Sequence, residues 1–191
     1  MLRVPIIFGS VRSERQGIKA ARFVVAELRR RDCDAVLIDP LEYALPLLDK
    51  MYKEYDPGTA PHPLEELAAL YRSADGFAIV SGEYNHSIPP ALTNLLDHFL
   101  EEYAWRPSAI VCYSGGRFGG VRAAMQLRAM LAELGMPSIP SLLPVANVAT
   151  AFDDAGVPAD PAFVRRNAAF FDEFVWYMEA LRDRRRAGVP S

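Results

Sequence analysis

The residues best suited to chemistry begin in the loop 9–17, which follows a short apolar stretch at the start of the chain. Arg12 and Arg15 carry forked guanidinium donors that match a phosphate. Apolar residues recur at helical spacing directly after Gly17. The loop therefore leads into a helix N-terminus, where unpaired backbone N–H groups favour an anion. This pattern predicts a site for a cofactor phosphate, although an ordinary strand-to-helix turn with solvated arginines has the same composition.

Three well-known motifs are absent from this loop. It lacks the Gly-x-x-x-x-Gly-Lys-Ser/Thr pattern of nucleoside triphosphatases. It also lacks the Gly-x-Gly-x-x-Gly turn of standard dinucleotide-binding domains. Ser10 is not part of a Gly-x-Ser-x-Gly elbow, which argues against a hydrolase.

Two further loops carry residues that suit a flat ligand. In the loop 82–90, Tyr84 can lie against a planar ring and Asn85 can donate or accept a hydrogen bond. The loop 114–120 is rich in glycine, so its backbone can approach a planar ligand closely. Phosphate donors in the first loop, an aromatic side chain in the second and a glycine-rich backbone in the third fit a phosphorylated planar heterocycle. Flavin mononucleotide (FMN) fits better than a sugar phosphate or a metal ion, and other nucleotides stay open.

The elements that position these loops alternate between strand and helix. The spacing of apolar residues predicts strands at 2–8, 35–39, 76–81, 108–113 and within 138–145. It predicts helices at 18–31, 64–72, 92–103, 121–135 and 161–184. The segment 41–63 contains several prolines and is expected to be irregular.

This alternation indicates an α/β fold, a parallel sheet with helices on both faces. Five strands suit the flavodoxin-like, doubly wound order 2-1-3-4-5, in which ligands bind at the carboxyl ends of the strands. The three loops follow the first, third and fourth strands, so we expect them to meet at one edge of the sheet. Residues 1–191 are expected to form a single domain.

Composition excludes several classes of protein. The formal net charge of the 191 residues is −3, without the basic excess of a general nucleic-acid binder. No apolar run is long enough to cross a membrane, and the first apolar stretch does not have the form of a signal peptide. We therefore expect a cytoplasmic protein. Cys33 and Cys112 are far apart and are expected to be free thiols.

Histidines and acidic residues give little support to a metal or acid–base site. His62, His86 and His98 lack ligand spacing, so no metal site is expected. His86 is expected to flank the cofactor loop and His98 to lie on a helix surface. Glu83 is a candidate acid, but a carboxylate near a helix N-terminus is commonly structural. The charged end 182–191 is expected to be frayed and solvated.

The sequence resembles the NADPH-dependent FMN reductase family within the flavodoxin-like superfamily. The similarity extends over roughly residues 2–145, and its most specific part is the Glu-Tyr-Asn segment. The residues that carry it are Gly9-Ser10-Val11-Arg12, Glu83-Tyr84-Asn85-His86-Ser87-Ile88-Pro89 with Ala91-Leu92-Thr93-Asn94-Leu95-Leu96-Asp97, and Ser114-Gly115-Gly116 with Gly119-Gly120-Val121-Arg122-Ala123.

The resemblance implies roles for residues in all three loops. The residues implied at the phosphate are Ser10, Arg12, Gln16 and Gly17, with Arg15 joining them. Those implied along the flavin are Glu83, Tyr84 and Asn85, with Ser114, Gly115 and Gly116 facing the isoalloxazine. Two positions depart from the common pattern: Arg15 stands where many members have Ser, and Gly82 where many have Pro. The first departure changes the expected phosphate contacts, and the second predicts a looser flavin loop.

The implied activity is an oxidoreductase with two half-reactions. NADPH or NADH delivers hydride to FMN, and a small-molecule acceptor then takes the electrons: a quinone, a flavin, an azo compound or a metal oxyanion. The flavin performs the chemistry, so no protein residue is expected to act as an essential nucleophile or base. The resemblance also implies a homodimer or homotetramer, with the helices 92–103 and 121–135 as candidate interfaces. A flavodoxin-type electron carrier and a non-catalytic FMN-binding protein are the alternatives.

Overall fold

The computed structural model describes residues 1–190, which contain one five-stranded sheet and eight α-helices. The strands are β1 (Leu2–Phe8), β2 (Cys33–Ile38), β3 (Phe77–Gly82), β4 (Ser108–Tyr113) and β5 (Ser138–Val145). The helices are α1 (Gly17–Arg29), α2 (Pro40–Tyr43), α3 (His62–Ser73), α4 (Pro90–Asp97), α5 (Val121–Glu133), α6 (Val148–Ala151), α7 (Ala162–Arg166) and α8 (Ala168–Arg186). Two 3₁₀ turns lie at Tyr52–Glu54 and Glu101–Tyr103.

The sheet has the order β2-β1-β3-β4-β5, and every pair of neighbouring strands is parallel. The predicted flavodoxin-like order is therefore confirmed. Ile6 of β1 pairs with Leu37 of β2 on one side and with Ala78 of β3 on the other. A strand between two neighbours and two helical layers is buried on both faces, which explains the nearly continuous apolar sequence of β1.

Alternate side chains of each strand pack against different helical layers. Val4, Ile6 and Phe8 of β1 belong to the hydrophobic cluster that includes α1 and α8. Ile7 of β1 points to the opposite face and joins the cluster that includes α3, α4 and α5. This follows from the two-residue period of a β-strand. Both faces of the sheet are covered, and its carboxyl edge carries the three loops of interest.

The last helix differs from its prediction, because it is interrupted. Asn167 separates α7 from α8, and its side-chain amide donates to the carbonyl of Phe163 at 2.8 Å. The break lets two aromatic rings from different helices reach the same partner on α1. The ring of Phe163 lies 5.4 Å from that of Phe23, and the ring of Phe171 lies 5.8 Å from it.

The helix predicted over 92–103 also ends early, at Asp97. Phe99 and Tyr103 remain buried through the 3₁₀ turn that follows. The expectation that His98 lies on a helix surface is wrong, since the residue is only 2% exposed. Its Nδ1 pairs with the carbonyl of Asn94 at 2.7 Å, one of the carbonyls that a helix C-terminus leaves without an intrahelical partner.

The basic C-terminal segment is more ordered than predicted. Helix α8 continues to Arg186, and the Arg185 guanidinium pairs with the Asp75 carboxylate at 3.2 Å. Arg185 also donates to the carbonyl of Trp105 at 3.1 Å. These contacts fix the helix against the amino edge of the sheet. Ser191 lies outside the described residues.

The layer of α3, α4 and α5 contains two fully buried tyrosines that differ in one respect. The rings of Tyr71 and Tyr103 are 5.4 Å apart. The Tyr103 hydroxyl donates to the carbonyl of Leu96 at 3.3 Å, whereas the Tyr71 hydroxyl has no partner within residues 1–190. A buried hydroxyl without a partner carries a desolvation penalty that no hydrogen bond offsets.

We therefore expect Tyr71→Phe to raise the free energy of unfolding by about 1–3 kcal/mol. The matched variant Tyr103→Phe loses a hydrogen bond and is expected to lower it by about 0.5–1.5 kcal/mol. Urea denaturation of both variants under identical conditions measures the difference. A destabilised Tyr71→Phe protein would reveal a partner of the Tyr71 hydroxyl, such as a buried water.

Candidate functional site

A cleft with an empty volume of about 600 Å³ opens at the carboxyl ends of β1, β3 and β4. It lies at the point where the strand order reverses, the usual ligand position in open α/β sheets. Of the residues singled out from sequence, those that line the cleft are Ser10, Arg12, Arg15, Gln16, Gly17, Glu83, Tyr84, Ser114 and Gly115. Asn85 and Gly116 do not line it.

In the first loop, Arg15 is held by contacts within the protein. Its guanidinium makes a two-pronged pair with the Asp39 carboxylate, with the second contact at 2.6 Å, and donates to the carbonyl of Ser10 at 3.2 Å. It also lies 5.6 Å from the centre of the Phe8 ring. Asp39 is buried at the end of β2 and also accepts from the N–H of Leu41. The pair braces the loop against the end of β2.

The other donors of the first loop remain available. The Arg12 side chain has no hydrogen-bond or ion-pair partner within residues 1–190 and lines the cleft. Helix α1 starts at Gly17, and Gln16 at its N-cap makes no side-chain capping bond. The N-terminal turn of α1 therefore presents backbone N–H groups and a free guanidinium on the same side of the cleft.

Tyr113, the last residue of β4, fills the space between the first two loops. A Cβ on Gly17 would lie 2.0 Å from its ring, and a Cβ on Gly82 would lie 3.2 Å from it. The ring stacks on Phe8 with centroids 6.4 Å apart. Burial raises the pKa of the Tyr113 hydroxyl, and a hydrogen bond with Ser10 lowers it in part. Tyr113 therefore stays neutral and sets the spacing of the two loops.

The second loop is a tight turn fixed to helix α5. Tyr84 and Ser87 exchange backbone hydrogen bonds at 3.0 and 2.9 Å. Asn85 and His86 between them have φ values of +51° and +64°, as the central residues of a type I′ turn require. Ser87 in turn donates to the side chain of Gln126 at 2.7 Å. Asn85 thus occupies the tip of the turn, outside the cleft lining.

The carboxylate of Glu83 is occupied by the start of α5. It accepts from the N–H of Arg122 at 3.1 Å and of Ala123 at 3.4 Å, and it pairs with the Arg122 guanidinium at 3.3 Å. A carboxylate in this position satisfies unpaired N–H groups and complements the helix dipole. These contacts favour the structural interpretation of Glu83 over that of a proton donor.

The third loop contains one glycine whose position has no room for a side chain, and two glycines whose positions do. Gly120 has φ +80°, and a Cβ there would lie 2.6 Å from the carbonyl oxygen of Tyr113. Gly115 and Gly116 have neither constraint: an added Cβ would meet nothing within 4 Å. Their lack of a side chain leaves open space beside the cleft, as a closely approaching ligand would need.

Sequence reasoning missed several residues that shape the cleft. Tyr113 and Asp39 were assigned only to strands, whereas Tyr113 ends β4 beside the third loop and Asp39 directly follows β2 as the N-cap of α2. Val148 and Ala149 of α6 also line the cleft, and no sequence motif predicted their position there. Backbone hydrogen bonds tie them to the third loop, including one from the N–H of Val148 to the carbonyl of Ser114 at 3.1 Å.

Other types of site find no support in the described part of the chain. Cys33 and Cys112 are free and buried, as expected, and burial raises the pKa of their thiols to about 11 and about 12. Neither is a thiolate at neutral pH. Within residues 1–190, no cluster of three or more His, Cys, Asp or Glu is arranged to hold a metal ion. Over the same residues, no helix combines the length and apolarity that crossing a bilayer requires.

The packing of Tyr113 makes two glycines of the cleft respond differently to the same substitution. Gly17→Ala places a methyl group against a ring that cannot retreat from Phe8, so we expect a loss of about 1–3 kcal/mol in the free energy of unfolding. Gly115→Ala adds the same methyl group in open space and is expected to change it by less than about 0.5 kcal/mol. Urea denaturation of the FMN-free proteins compares the two. Equal stabilities would mean that the Tyr113 ring moves aside.

Comparisons with known proteins agree with this geometry. A sequence model described as NADPH-dependent FMN reductase matches residues 2–150. An NAD(P)H-dependent FMN reductase of Nectria sp. is 33% identical over 135 residues, which cover 66% of each chain. A quinone reductase of Pseudomonas putida is 29% identical over 188 residues, covering 94% of this chain and 96% of its own.

Solved structures show the same fold. FerB from Paracoccus denitrificans, a flavoenzyme NAD(P)H:(acceptor) oxidoreductase, superimposes with a TM-score of 0.75 at 21% identity, covering 94% of this chain and 98% of its own. A flavodoxin from Pseudomonas aeruginosa gives a TM-score of 0.56 at 18% identity, covering 93% and 99%. Since the family model matches well over half of the chain, and the three loops that carry the motifs meet in one cleft, this chain belongs to the NADPH-dependent FMN reductase family.

Proposed function

We propose that this chain binds FMN in the cleft, takes hydride from NADPH or NADH, and passes the electrons to a small diffusible acceptor. Family membership supports the flavin cofactor and the nicotinamide donor. The proposed acceptors are quinones, free flavins, azo compounds and metal oxyanions, and the Pseudomonas relative is named a quinone reductase. The observation that carries the proposal is one cleft with free anion donors at one end and unhindered glycines at the other.

The phosphate of FMN suits the first loop. Arg12 offers a guanidinium without a protein partner, and the uncapped start of α1 offers the backbone N–H groups of Gln16 and Gly17. The Ser10 hydroxyl lies on the same wall. Arg15 lies at the same end of the cleft, but its role is to stabilise the loop, because Asp39 already neutralises its charge. Ser10, Arg12, Gln16 and Gly17 are the direct ligands in this proposal.

The isoalloxazine suits the other end of the cleft. Ser114 and Gly115 line this end of the cleft, Gly116 follows them outside the lining, and a Cβ on either glycine would meet nothing within 4 Å. Tyr84 flanks the ring, while Glu83 fixes the loop to α5 and Asn85 supports the turn through its left-handed backbone conformation.

FMN held by these three loops would supply the redox chemistry, hydride acceptance and electron release, that the protein side chains lack. The role of the protein is to bind the flavin and orient it. The titratable side chains of the cleft are Arg12, Glu14, Arg15, Glu83, Tyr84 and Tyr113. Tyr113 is held neutral by burial and Glu83 is engaged with α5. We therefore assign no essential nucleophile or general base to the chain.

The exposed apolar side chains near α4 and α5 favour self-association. Phe118 and Met125 are exposed on α5 and the loop before it. Leu47 and Leu48 are exposed in a segment that the Asn94 side chain of α4 holds through two hydrogen bonds of 2.8 Å. We propose a homodimer or homotetramer of one-domain subunits, located in the cytoplasm, and sedimentation velocity tests the assembly.

Anaerobic reduction of the purified, FMN-loaded protein is the primary test. We expect NADPH or NADH alone to bleach the flavin absorbance in a stopped-flow experiment, and a panel of acceptors to restore it. The alternative, a flavodoxin-type carrier, exchanges single electrons with a protein partner and oxidises nicotinamides poorly. If stoichiometric FMN is bound and neither nucleotide reduces it, the proposed function is wrong. Tight FMN binding with no turnover on any acceptor would instead favour a non-catalytic flavin-binding protein.

The position of the phosphate is tested by Arg12→Ala. Loss of a charge-assisted hydrogen bond is expected to weaken FMN binding by about 1.5–3 kcal/mol, roughly 10- to 150-fold. Arg165→Ala is the matched control, because the Arg165 side chain also has no hydrogen-bond or ion-pair partner within residues 1–190 but lies outside the cleft. Fluorescence titration of FMN into the apoproteins measures both affinities. Equal affinities would place the phosphate elsewhere.

A further inference from the structure

A second concave surface lies at the amino ends of β3 and β4, on the edge of the sheet opposite the cleft. Asp75 and Arg106 each precede one of these strands by two residues. Because both strands are six residues long, this surface is about 20 Å from the cleft. The charged side chains that line it are those of Arg72, Asp75, Arg106, Arg182, Arg185 and Arg186. We call this surface the arginine pocket.

Two guanidinium groups of the arginine pocket meet at a single carbonyl oxygen. Arg106 and Arg185 both donate to the carbonyl of Ala74, at 2.8 and 3.4 Å. Arg106 also donates to the carbonyls of Ala104 at 2.9 Å and of Arg72 at 2.6 Å. Burial and the nearby Arg185 lower the pKa of Arg106 to about 10, which leaves it charged at neutral pH. Two like charges are therefore held close together, and the carbonyls between them carry no net charge.

The protein neutralises only part of the charge of the arginine pocket. Asp75 pairs with Arg185 at 3.2 Å, and Glu102 pairs with Arg72 at 2.8 Å. Arg106 has no carboxylate partner within residues 1–190, since its three hydrogen bonds all go to carbonyls. A partly buried charge without a counter-ion is unfavourable. An anion bound beside Arg106 would therefore be stabilised.

Helix α8 adds two further arginines to the pocket. Arg182 and Arg186 are four residues apart and so lie on one face of the helix. Both contact the exposed carboxylate of Asp183, at 3.4 and 3.7 Å. Exposed ion pairs of this kind contribute little and are readily exchanged for a ligand. The five arginines of the pocket thus contact three carboxylates, which leaves an excess of two positive charges in a chain whose formal net charge is −3.

The chemistry of the arginine pocket suits a ligand with two adjacent phosphate groups. Guanidinium groups donate parallel N–H bonds to phosphate oxygens, and a pyrophosphate group carries at least two negative charges to match the excess. The acidic character of the whole chain favours a small anion over a nucleic acid. We infer that the arginine pocket binds a small molecule with a pyrophosphate group, with donors supplied by Arg106, Arg182 and Arg186. The inference does not depend on the proposed function, because the two sites lie at opposite edges of the sheet.

Calorimetric titration of the FMN-loaded protein with inorganic pyrophosphate, without divalent cations, tests the pocket while flavin fills the cleft. We expect one pyrophosphate per chain, bound at least about tenfold more tightly than inorganic phosphate, the size expected for a charge-assisted contact. The double variant Arg182→Gln, Arg186→Gln is expected to lose at least about tenfold in pyrophosphate affinity for the same reason. Arg184→Gln is the matched control, because Arg184 is exposed on the same helix but does not line the pocket. It is expected to keep the wild-type affinity.

Adenosine diphosphate distinguishes the two sources of a pyrophosphate group. Affinity equal to or above that of pyrophosphate supports a nucleotide ligand, and lower affinity supports the free oxyanion. A rise in the wild-type unfolding temperature with added pyrophosphate is the second readout, since a ligand of the native state stabilises it. The single variant Arg186→Gln replaces the double variant if the latter does not fold.

Three outcomes overturn the inference. The first is a wild-type protein that does not bind pyrophosphate. The second is an equal loss of affinity in Arg184→Gln and in the double variant, which would show general attraction to a basic helix end. The third is tighter binding of a short DNA duplex than of pyrophosphate, which would assign the arginine pocket to nucleic acid.

Discussion

The packing of Tyr113 is the constraint on which the cleft depends. Its ring ends β4 and occupies the volume that side chains on Gly17 and Gly82 would need. It also stacks on Phe8 at the end of β1. The Tyr113 backbone lies so close to residue 120 that only glycine, without a Cβ, fits there. The first, second and third loops therefore meet around one buried ring. Each of these glycines keeps a loop close enough to form a common wall, and the cleft lies on the side that the ring leaves open.

The arginines of the three loops and of the start of α5 fall into two groups, those paired with carboxylates and those without a charged partner. Arg15 is paired twice with a buried carboxylate, so its charge serves to brace the first loop. Arg122 is shared between Glu83 and the Phe118 ring. The side chains of Arg12 and Arg117 have no hydrogen-bond or ion-pair partner within residues 1–190, although the Arg117 guanidinium lies over the Phe118 ring. The same side-chain type thus fixes loops of the site in two places and leaves two guanidinium groups without a charged partner in the described residues.

The loops that surround the cleft are fixed by contacts that do not involve a ligand. Glu83 and Ser87 attach the second loop to α5, and the N–H of Val148 attaches α6 to the third loop. A site that is largely formed in advance loses little conformational entropy when the cofactor binds. This suits a reductase in which the flavin does the chemistry and the protein holds it between two successive partners.

The sequence by itself determined the strand order, the edge of the sheet that carries the site, and most of the residues that line the cleft. The strands and the edge that carries the site follow from local periodicity and from the chain order of loops and strands, which are properties of short segments. Most of the individual residues follow from the resemblance of short motifs to a known family. Only the tertiary structure decided that Arg15 pairs with Asp39, that Asn85 lies at a turn tip, that His98 is buried and that Tyr113 fills the centre. Such pairings join residues distant in the chain, and many partners are compatible with the same local pattern. The choice among them is made by packing and charge once the strands are assembled.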